Sequence, residues 1–401
     1  MTTRLETRCC IAGGGPAGMV LGWLLARAGV PVIVLEKHAD FLRDFRGDTV
    51  HPSTLELMHE LGVLDAFLRV PHTAMDHIDL EILGERLAGP DFRGLPTHCK
   101  MIALMPQWDF LEFVRGQASQ HDTFRLIQRA EVTELVRDGD RVVGVHARTP
   151  DGALEVRADL VVGTDGRHST VRARAHLVPR TFSVPIDVLW MRLSRKPSDG
   201  DQVLGTMTAR QFLVMLDRGD YWQCAYLIEK GALDRLRARG LPALRDELAA
   251  IVPFLADRVA ELTSWDDLKL LTVVVDRLDR WWAPGVLCIG DAAHAMSPIG
   301  GVGINLAVQD AIATANRLAG PLRDRALTSD DLAAVQAHRE PPAKKIQALQ
   351  IAIHDHVLAK VLAGRGGPTL RLLRFALRHA PRAMRRKFAE VLAVGQLEHV
   401  V

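Results

Sequence analysis

CCIAGGGPAG, residues 9–18, is the stretch on which the fold turns. Cys9 to Ala12 is a short apolar run of strand character, and Gly13-Gly-Gly-Pro-Ala-Gly18 is a tight glycine turn. Met19 to Ala28 continues as an apolar-periodic helix closed by Gly29, and Val32 to Leu35 is a second buried strand ending at Glu36. Strand, glycine turn, helix and strand make a β-α-β unit. In Gly13-x-Gly15-x-x-Gly18 the first glycine permits the turn and the second lets backbone approach a pyrophosphate. The third lets helix and strand pack closely. The helix that starts here directs N–H groups and the positive end of its dipole at the phosphates. Glu36 follows Gly18 by 18 residues, close to the roughly 20 at which a carboxylate reaches ribose hydroxyls. A bound dinucleotide is the expectation.

Outward from this unit, Pro52 and Ser53 start a helix that Gly62 stops, and a second helix spans Trp108 to Ser119. His72 to Met101 is irregular and richer in Pro and Gly. Short strands alternate from Phe124 to Val156, turning at Asp138-Gly-Asp140 and Pro150-Asp-Gly152. Asp159 to Gly163 reads as a separate buried strand. Residues 178–278 read as another lobe, with strands at Asp187–Leu193, Phe212–Leu216 and Trp222–Ile228 and a helix at Pro242–Ile251. Asp217-Arg-Gly-Asp220 joins two of these strands into an antiparallel hairpin. Val286 to Ile289 returns to a buried strand, Gly303 to Leu318 is a helix, and after Pro341-Pro342 the remainder is helical and basic. The expected class is α/β. A Rossmann-type nucleotide-binding domain (1–71, 104–177, 279–340) is interleaved with a β-sheet domain for substrate (72–103, 178–278), and a helical segment (341–401) follows.

Of the 401 residues 48% are hydrophobic and 24% charged, the balance of a chain with a buried core, and the net charge of +2 calls for no nucleic acid. Cys9, Cys10, Cys99, Cys224 and Cys288 are odd in number and form no Cys-x-x-Cys pair. That spacing argues against a disulfide framework or a metal site and suits a reducing cytoplasm. The charged start Met1 to Arg8 is unlike a signal peptide, and no apolar run nears the roughly 18 residues that span a bilayer. A soluble, cytoplasmic protein is expected.

Two further segments specify the dinucleotide. Asp159-Leu-Val-Val-Gly163 leads into Thr164-Asp165-Gly166, and Val286-Leu-Cys-Ile-Gly290-Asp291-Ala-Ala-His294 leads into Pro298-Ile-Gly-Gly301-Val-Gly303-Ile304-Asn305 and a helix. Asp291 at a strand's end can hold a ribityl or ribose hydroxyl. The glycine turn then presents the N–H groups of Gly303, Ile304 and Asn305 at a helix N-terminus, which suits the negative edge of a reduced flavin.

With these three motifs the chain resembles the single-component (group A) FAD-dependent aromatic hydroxylases, the para-hydroxybenzoate hydroxylase family, from about Cys9 to Leu318. The resemblance implies that Gly13, Gly15, Gly18 and Glu36 hold the ADP half of FAD, with Pro16, Ala17, Lys37 and Val132 also among the cofactor-binding positions. Arg46 and Gln107 match the family's contacts to phosphates and ribityl chain. Asp165 and Gly166 would support both FAD and NAD(P)H, and Gly290 and Asp291 would bind the ribityl chain. Pro298 and the backbone from Gly301 to Asn305 would face the flavin ring. In such enzymes NAD(P)H reduces the flavin, O2 adds at C4a, and the hydroperoxide passes one oxygen to an electron-rich substrate, while the protein excludes water and aims the substrate. NAD(P)H is then a transient co-substrate, and the function implied is a monooxygenase.

His51 and Pro298 are the candidates nearest the reacting centre, His51 as proton relay, as positioner of substrate or merely as a helix cap. His294 fits loop scaffold better than chemistry. The family's roof sheet corresponds to Trp190, Arg192, Leu213, Met215, Trp222, Gln223 and Tyr226. Where the para-hydroxybenzoate enzyme clamps a carboxylate with serine and arginine, Leu213 and Met215 stand here, so a larger, apolar, phenolic or polycyclic substrate is expected. Lys360 to Val401 carries nine Lys/Arg and two Glu, +7 against −5 for the rest. It reads either as helices packed on the body with a basic outer face or as a membrane-surface helix, which Pro381 interrupts. A reductase or halogenase of the same fold and a non-enzymatic flavoprotein are the alternatives. The halogenase Trp-x-Trp-x-Ile-Pro stretch is not matched by Trp281-Trp282-Ala283-Pro284.

Overall fold

The computed structural model describes residues 2–42, 49–200 and 202–401. Thr3–Ala12 forms the centre of an eight-stranded sheet, with Val32–Glu36 parallel on one side and Gly152–Gly163 parallel on the other. Phe124–Gln128 and Val286–Cys288 extend it, also in parallel. Ala12 pairs with Leu35 and with Gly163, and Gly163 with Cys288. Parallel strands in this register finish together, so the glycine turn, the Asp165 loop and the Asp291 loop all leave from one edge of the sheet. Ligands of doubly wound sheets bind at that edge.

The first strand is longer than its apolar core, because Thr3 to Thr7 pair with Leu154 to Ala158. The same pairing corrects the expectation of a separate strand at Asp159. Gly152–Gly163 is one strand, whose first half also pairs antiparallel with Arg141–Thr149.

The second sheet has seven strands, in the order Lys269–Leu271, Ile186–Ser194, Tyr221–Glu229, Phe212–Asp217, Gly205–Met207, His77–Ile82 and Glu85–Asp91. The expected hairpin is present, with Leu213 opposite Tyr226 and Leu216 opposite Gln223. The Pro- and Gly-richer stretch from 72 is more regular than its composition suggests. Leu83 and Gly84, both at positive φ, turn His77–Ile82 back onto Glu85–Asp91.

Both faces of this sheet are covered. On one, Leu189, Met191, Leu193, Leu213, Met215, Trp222, Cys224, Tyr226 and Ile228 pack on the helices Leu233–Arg239 and Leu241–Ile251. On the other, Ile186, Val188, Phe212, Ala225 and Leu227 meet Ile299 and the C-terminal helices. Pro341 and Pro342 do not separate elements but lie inside the helix Ser329–Ile353, which buried Leu332, Val335 and Ala343 hold in place. Gly367–Arg378 and Arg382–Ala393 follow, parted at Pro381 as the sequence suggested.

Candidate active site

Gly13 donates its N–H to Leu35 O at 2.8 Å and has φ +111°. A Cβ on it would lie 2.5 Å from Thr164 O, and one on Gly18 would lie 2.0 Å from Gly13 O. Those two glycines are required by the chain's own packing. Gly15 is different, since nothing lies within 4 Å of the Cβ it lacks. The space it leaves bare fits a group from outside the chain, and the helix Pro16–Arg27 opens there with first-turn N–H groups that a helix leaves without internal acceptors. Pro16 is its first residue, and Ala17 is buried 3.3 Å from where Gly290 would carry a Cβ. This cradle fits a pyrophosphate.

Glu36 is buried at the second strand's end and accepts N–H bonds from Gly14 at 2.8 Å and His38 at 2.9 Å. A carboxylate at this strand end is of the type that accepts from a ribose hydroxyl. Val132 is buried in the neighbouring strand, Lys37 is exposed, and Gln107 opens the helix Gln107–Ala118, which packs on Pro16–Arg27. Arg46 lies outside the described residues.

Asp165 caps the short helix Thr170–Arg174. Its carboxylate accepts the Ser169 hydroxyl and the N–H groups of Thr170 at 2.7 Å and Val171 at 3.1 Å. Burial raises its pKa in spite of these bonds. It therefore shapes the loop, leaving Gly166, at φ +81°, beside open space. Asp291 is half-buried in the turn Gly290–Ala292.

A group not expected from sequence holds that turn. Asp310, fully buried, accepts Gly290 N–H at 3.0 Å, meets His294 Nε2 at 2.6 Å and accepts Arg339 Nε at 2.9 Å. Burial alone would raise its pKa, but His294 and Arg339 outweigh burial and hold it below the usual carboxylate range. Arg339 also bonds Glu398 at 2.8 Å, tying the C-terminus to the same turn. His294 is scaffold, as expected.

The loop Pro298 to Val302 carries Gly300 and Gly301 at positive φ, and a Cβ on Gly301 would strike Thr49 Oγ1 at 2.3 Å. Gly303 faces open space at the start of Gly303–Arg323, whose first-turn N–H groups belong to Gly303, Ile304 and Asn305. The Asn305 side chain is structural, accepting His51 N–H at 3.0 Å and Thr54 Oγ1 at 2.7 Å. This brings His51 against the loop. His51 is fully buried, with its ring beside the backbone of Gly300 and Gly301 and, among the described residues, no close side-chain partner on either ring nitrogen. Burial pushes its pKa down to about 4, so the ring is neutral at neutral pH.

The roof residues divide by face. Trp190, Val214 and Leu216 cluster above Ile102 and Leu104, the strand that pairs with Thr49 and Val50, and Gln223 alternates to the same side. Leu213, Met215, Trp222 and Tyr226 point the other way. Trp222 Nε1 donates to buried Asp199 at 2.8 Å and Tyr226 Oη donates to Glu247 at 3.1 Å, both on the helical side. These four lie in the cluster between the sheet and those helices, whereas Trp190, Val214 and Leu216 pack in the clusters of the opposite face. Successive strand residues alternate, and both faces are apolar, so sequence could not say which set faced the site. Arg192 is exposed at the rim, stacked 3.7 Å over the Tyr221 ring in an open cleft of about 320 Å³ with Ser194, Asp220, Glu261 and Asp267.

Comparison with known proteins bears on this edge directly. A family model described as an FAD binding domain matches residues 6–349. A 6-methylpretetramide 4-monooxygenase of Streptomyces rimosus is 35% identical over 348 residues, covering 86% of this chain and 83% of the relative. The chain belongs to this family of FAD-dependent aromatic hydroxylases. A further member, the 12-dehydrotetracycline 5-monooxygenase/anhydrotetracycline 6-monooxygenase of Streptomyces rimosus, is 29% identical over 75% of this chain, which spans 60% of that relative. Among solved structures, PqsL of Pseudomonas aeruginosa, described as a probable FAD-dependent monooxygenase, matches with TM-score 0.74 and 26% identity over 90% of this chain and 99% of its own. Membership agrees with the cradle at Gly15 and the helix start at Gly303, which fit FAD and lie at one sheet edge.

Proposed function

We propose that the protein is an FAD-dependent monooxygenase that uses NAD(P)H and O2 to place one oxygen atom on an apolar polycyclic aromatic substrate. The observation that carries this reading is the bare space at Gly15 and the open helix start at Gly303, on one sheet edge beneath an apolar sheet face. The monooxygenases of polycyclic tetracycline-type substrates among the relatives support the substrate class.

The glycine turn and the first helix would hold the pyrophosphate, Glu36 a ribose, Asp291 the ribityl chain, and Gly301 to Asn305 the flavin ring. FAD, when bound, supplies the electron transfer and O2 activation that protein side chains lack. Trp190, Val214, Leu216 and Gln223 would cover the substrate and exclude water. Pro298 would border the ring, and His51, kept neutral by burial, can take a proton at one ring nitrogen while releasing the proton on the other, so that a relay through it leaves no net charge in an apolar site. Residues 1–71, 104–177 and 279–340 would serve as the FAD domain, 72–103 and 178–278 as the substrate domain, with 341–401 appended. The five cysteines, all free, suit a cytoplasmic setting.

The test is turnover with NAD(P)H and a polycyclic phenol under 18O2. The expected product gains one labelled oxygen by mass spectrometry, and NAD(P)H oxidation quickens when the phenol is added. Label from water, or full-rate turnover without oxygen, would make the enzyme a reductase instead.

A further inference from the structure

The helices Gly367–Arg378 and Arg382–Ala393 each bury one apolar face and leave another bare. Inward, Leu370 is fully buried with Leu373 and Leu377 beside it, and Ala389 and Ala393 pack against Leu104 and Leu216. Outward, Leu372 is 70% exposed, Phe375 63%, Met384 55% and Phe388 41%. Half of the eight large apolar side chains exposed among the described residues thus fall within 17 positions. Scattered exposed apolar residues need no explanation, but a cluster does. On the first helix Pro368, Leu372, Phe375 and His379 recur at three and four residues, opposite the buried leucines.

The charge around this face is one-sided. From Lys360 onward the chain holds nine Lys/Arg and two Glu. Glu85 pairs with Arg374 and Arg378, but Arg371, Arg382 and Lys387 have no carboxylate within ion-pair distance among the described residues. Arg371 and Arg378 border the stripe on the first helix, and Lys387 borders Met384 and Phe388 on the second. A second copy meeting this face isologously would set like charges against each other. A surface of anionic headgroups over an acyl layer satisfies both features. The apolar side chains enter the boundary, and the long cationic ones keep their stems beside them with heads among the phosphates. No helix among the described residues is long and apolar enough to cross a membrane, so the contact is interfacial. We propose that Leu372, Phe375, Met384 and Phe388, with the cations around them, dock the protein on an anionic lipid surface.

Co-sedimentation of the full-length protein with phosphatidylcholine vesicles, with and without phosphatidylglycerol, tests this. The protein should pellet with the anionic vesicles and stay in solution with the neutral ones. Raising salt from about 0.05 M to about 0.5 M should release it. Phe375→Ser with Phe388→Ser should lower the partition coefficient at least ~tenfold, and Arg371→Gln with Lys387→Gln several-fold. All these positions are exposed, so an unchanged melting temperature checks that the variants fold. Equal sedimentation of wild type and variants, binding to neutral vesicles alike, or no binding to either would overturn the proposal. So would concentration-dependent self-association that the serine variant abolishes, which would assign the face to a second copy.

Discussion

In the parallel sheet the residues proposed to meet FAD stand at strand ends: Ala12 hands over to the glycine turn, Gly163 to Asp165, and Cys288 to Gly290 and Asp291. In the seven-stranded sheet the two covering layers are met by alternate residues along a strand, Phe212, Val214 and Leu216 against Leu213 and Met215, and the proposed substrate side is the former. Chain direction dictates which edge of a parallel sheet carries function, because every crossover returns the chain to the same end. No such rule chooses between the faces of a mostly antiparallel sheet. Which face is used depends on what covers it, here helices 233–251 on one side and the Ile299 loop with the C-terminal helices on the other. Site assignments at an edge are therefore robust to small errors in boundaries, whereas assignments on a face invert with a shift of one residue.

The largest effects should appear at the edge. Gly15→Val should fold with the apoprotein's melting temperature nearly unchanged, since no atom of the described residues lies within 4 Å of the Cβ it adds. FAD affinity should fall at least ~100-fold in an equilibrium titration, because the side chain enters the pyrophosphate's place. Gly18→Val should instead destabilise the apoprotein, as its Cβ overlaps Gly13 O. Unchanged FAD affinity in the Gly15 variant would remove the pyrophosphate from this turn.

On the roof sheet the two faces should respond oppositely. Met215→Ala should cost about 2–5 kcal/mol of stability, as buried truncations do, with kcat/KM per folded molecule nearly unchanged. Val214→Trp should keep its stability and raise KM for a polycyclic substrate. The reverse pattern would restore Leu213 and Met215 to the pocket.

His51 joins the two regions, and its titration is measurable. Its pKa falls from an ordinary 6.5 to about 4 by burial. Between those values the unfolded chain binds a proton that the folded chain does not, so stability is lost as pH drops through that window. The loss attributable to His51 is on the order of 3 kcal/mol. Urea unfolding of His51→Asn at pH 7 and pH 4 should show a pH dependence flatter than wild type by about that amount. Equal slopes would mean the ring is not desolvated.

The sequence was most informative where geometry leaves one choice. Gly13 and Gly18 were legible because a tight turn and a packing contact leave no room for a Cβ there, while Gly15 stands beside open space. The hairpin at Asp217 to Asp220 was legible from its turn residues. The face of that hairpin was not, because Phe212 to Leu216 is apolar on both sides and period two leaves no imprint when neither face meets water. Asp310 and Arg339 escaped notice because a buried charge inside a helix has no local signature, its partners His294 and Glu398 being distant in sequence. The two apolar faces of the last helices were not separable in sequence, because buried Leu370 and exposed Met384 and Phe388 all recur at helical spacing and only packing tells them apart.

A smaller effect belongs to Asp291. Asp291→Ala should weaken FAD by about 10- to 150-fold, the worth of one charge-assisted hydrogen bond of roughly 1.5–3 kcal/mol, with the fold intact by circular dichroism. An unchanged dissociation constant would take Asp291 out of the site.

The most direct measurement is a crystal structure of the FAD complex with a polycyclic aromatic substrate bound. Density for the flavin ring is expected along Gly301 to Asn305, with the pyrophosphate at Gly15 and the substrate between the ring and Trp190, Val214 and Leu216. A substrate seated against Arg192 in the rim cleft, or a flavin away from the Gly303 helix start, would contradict the proposed site.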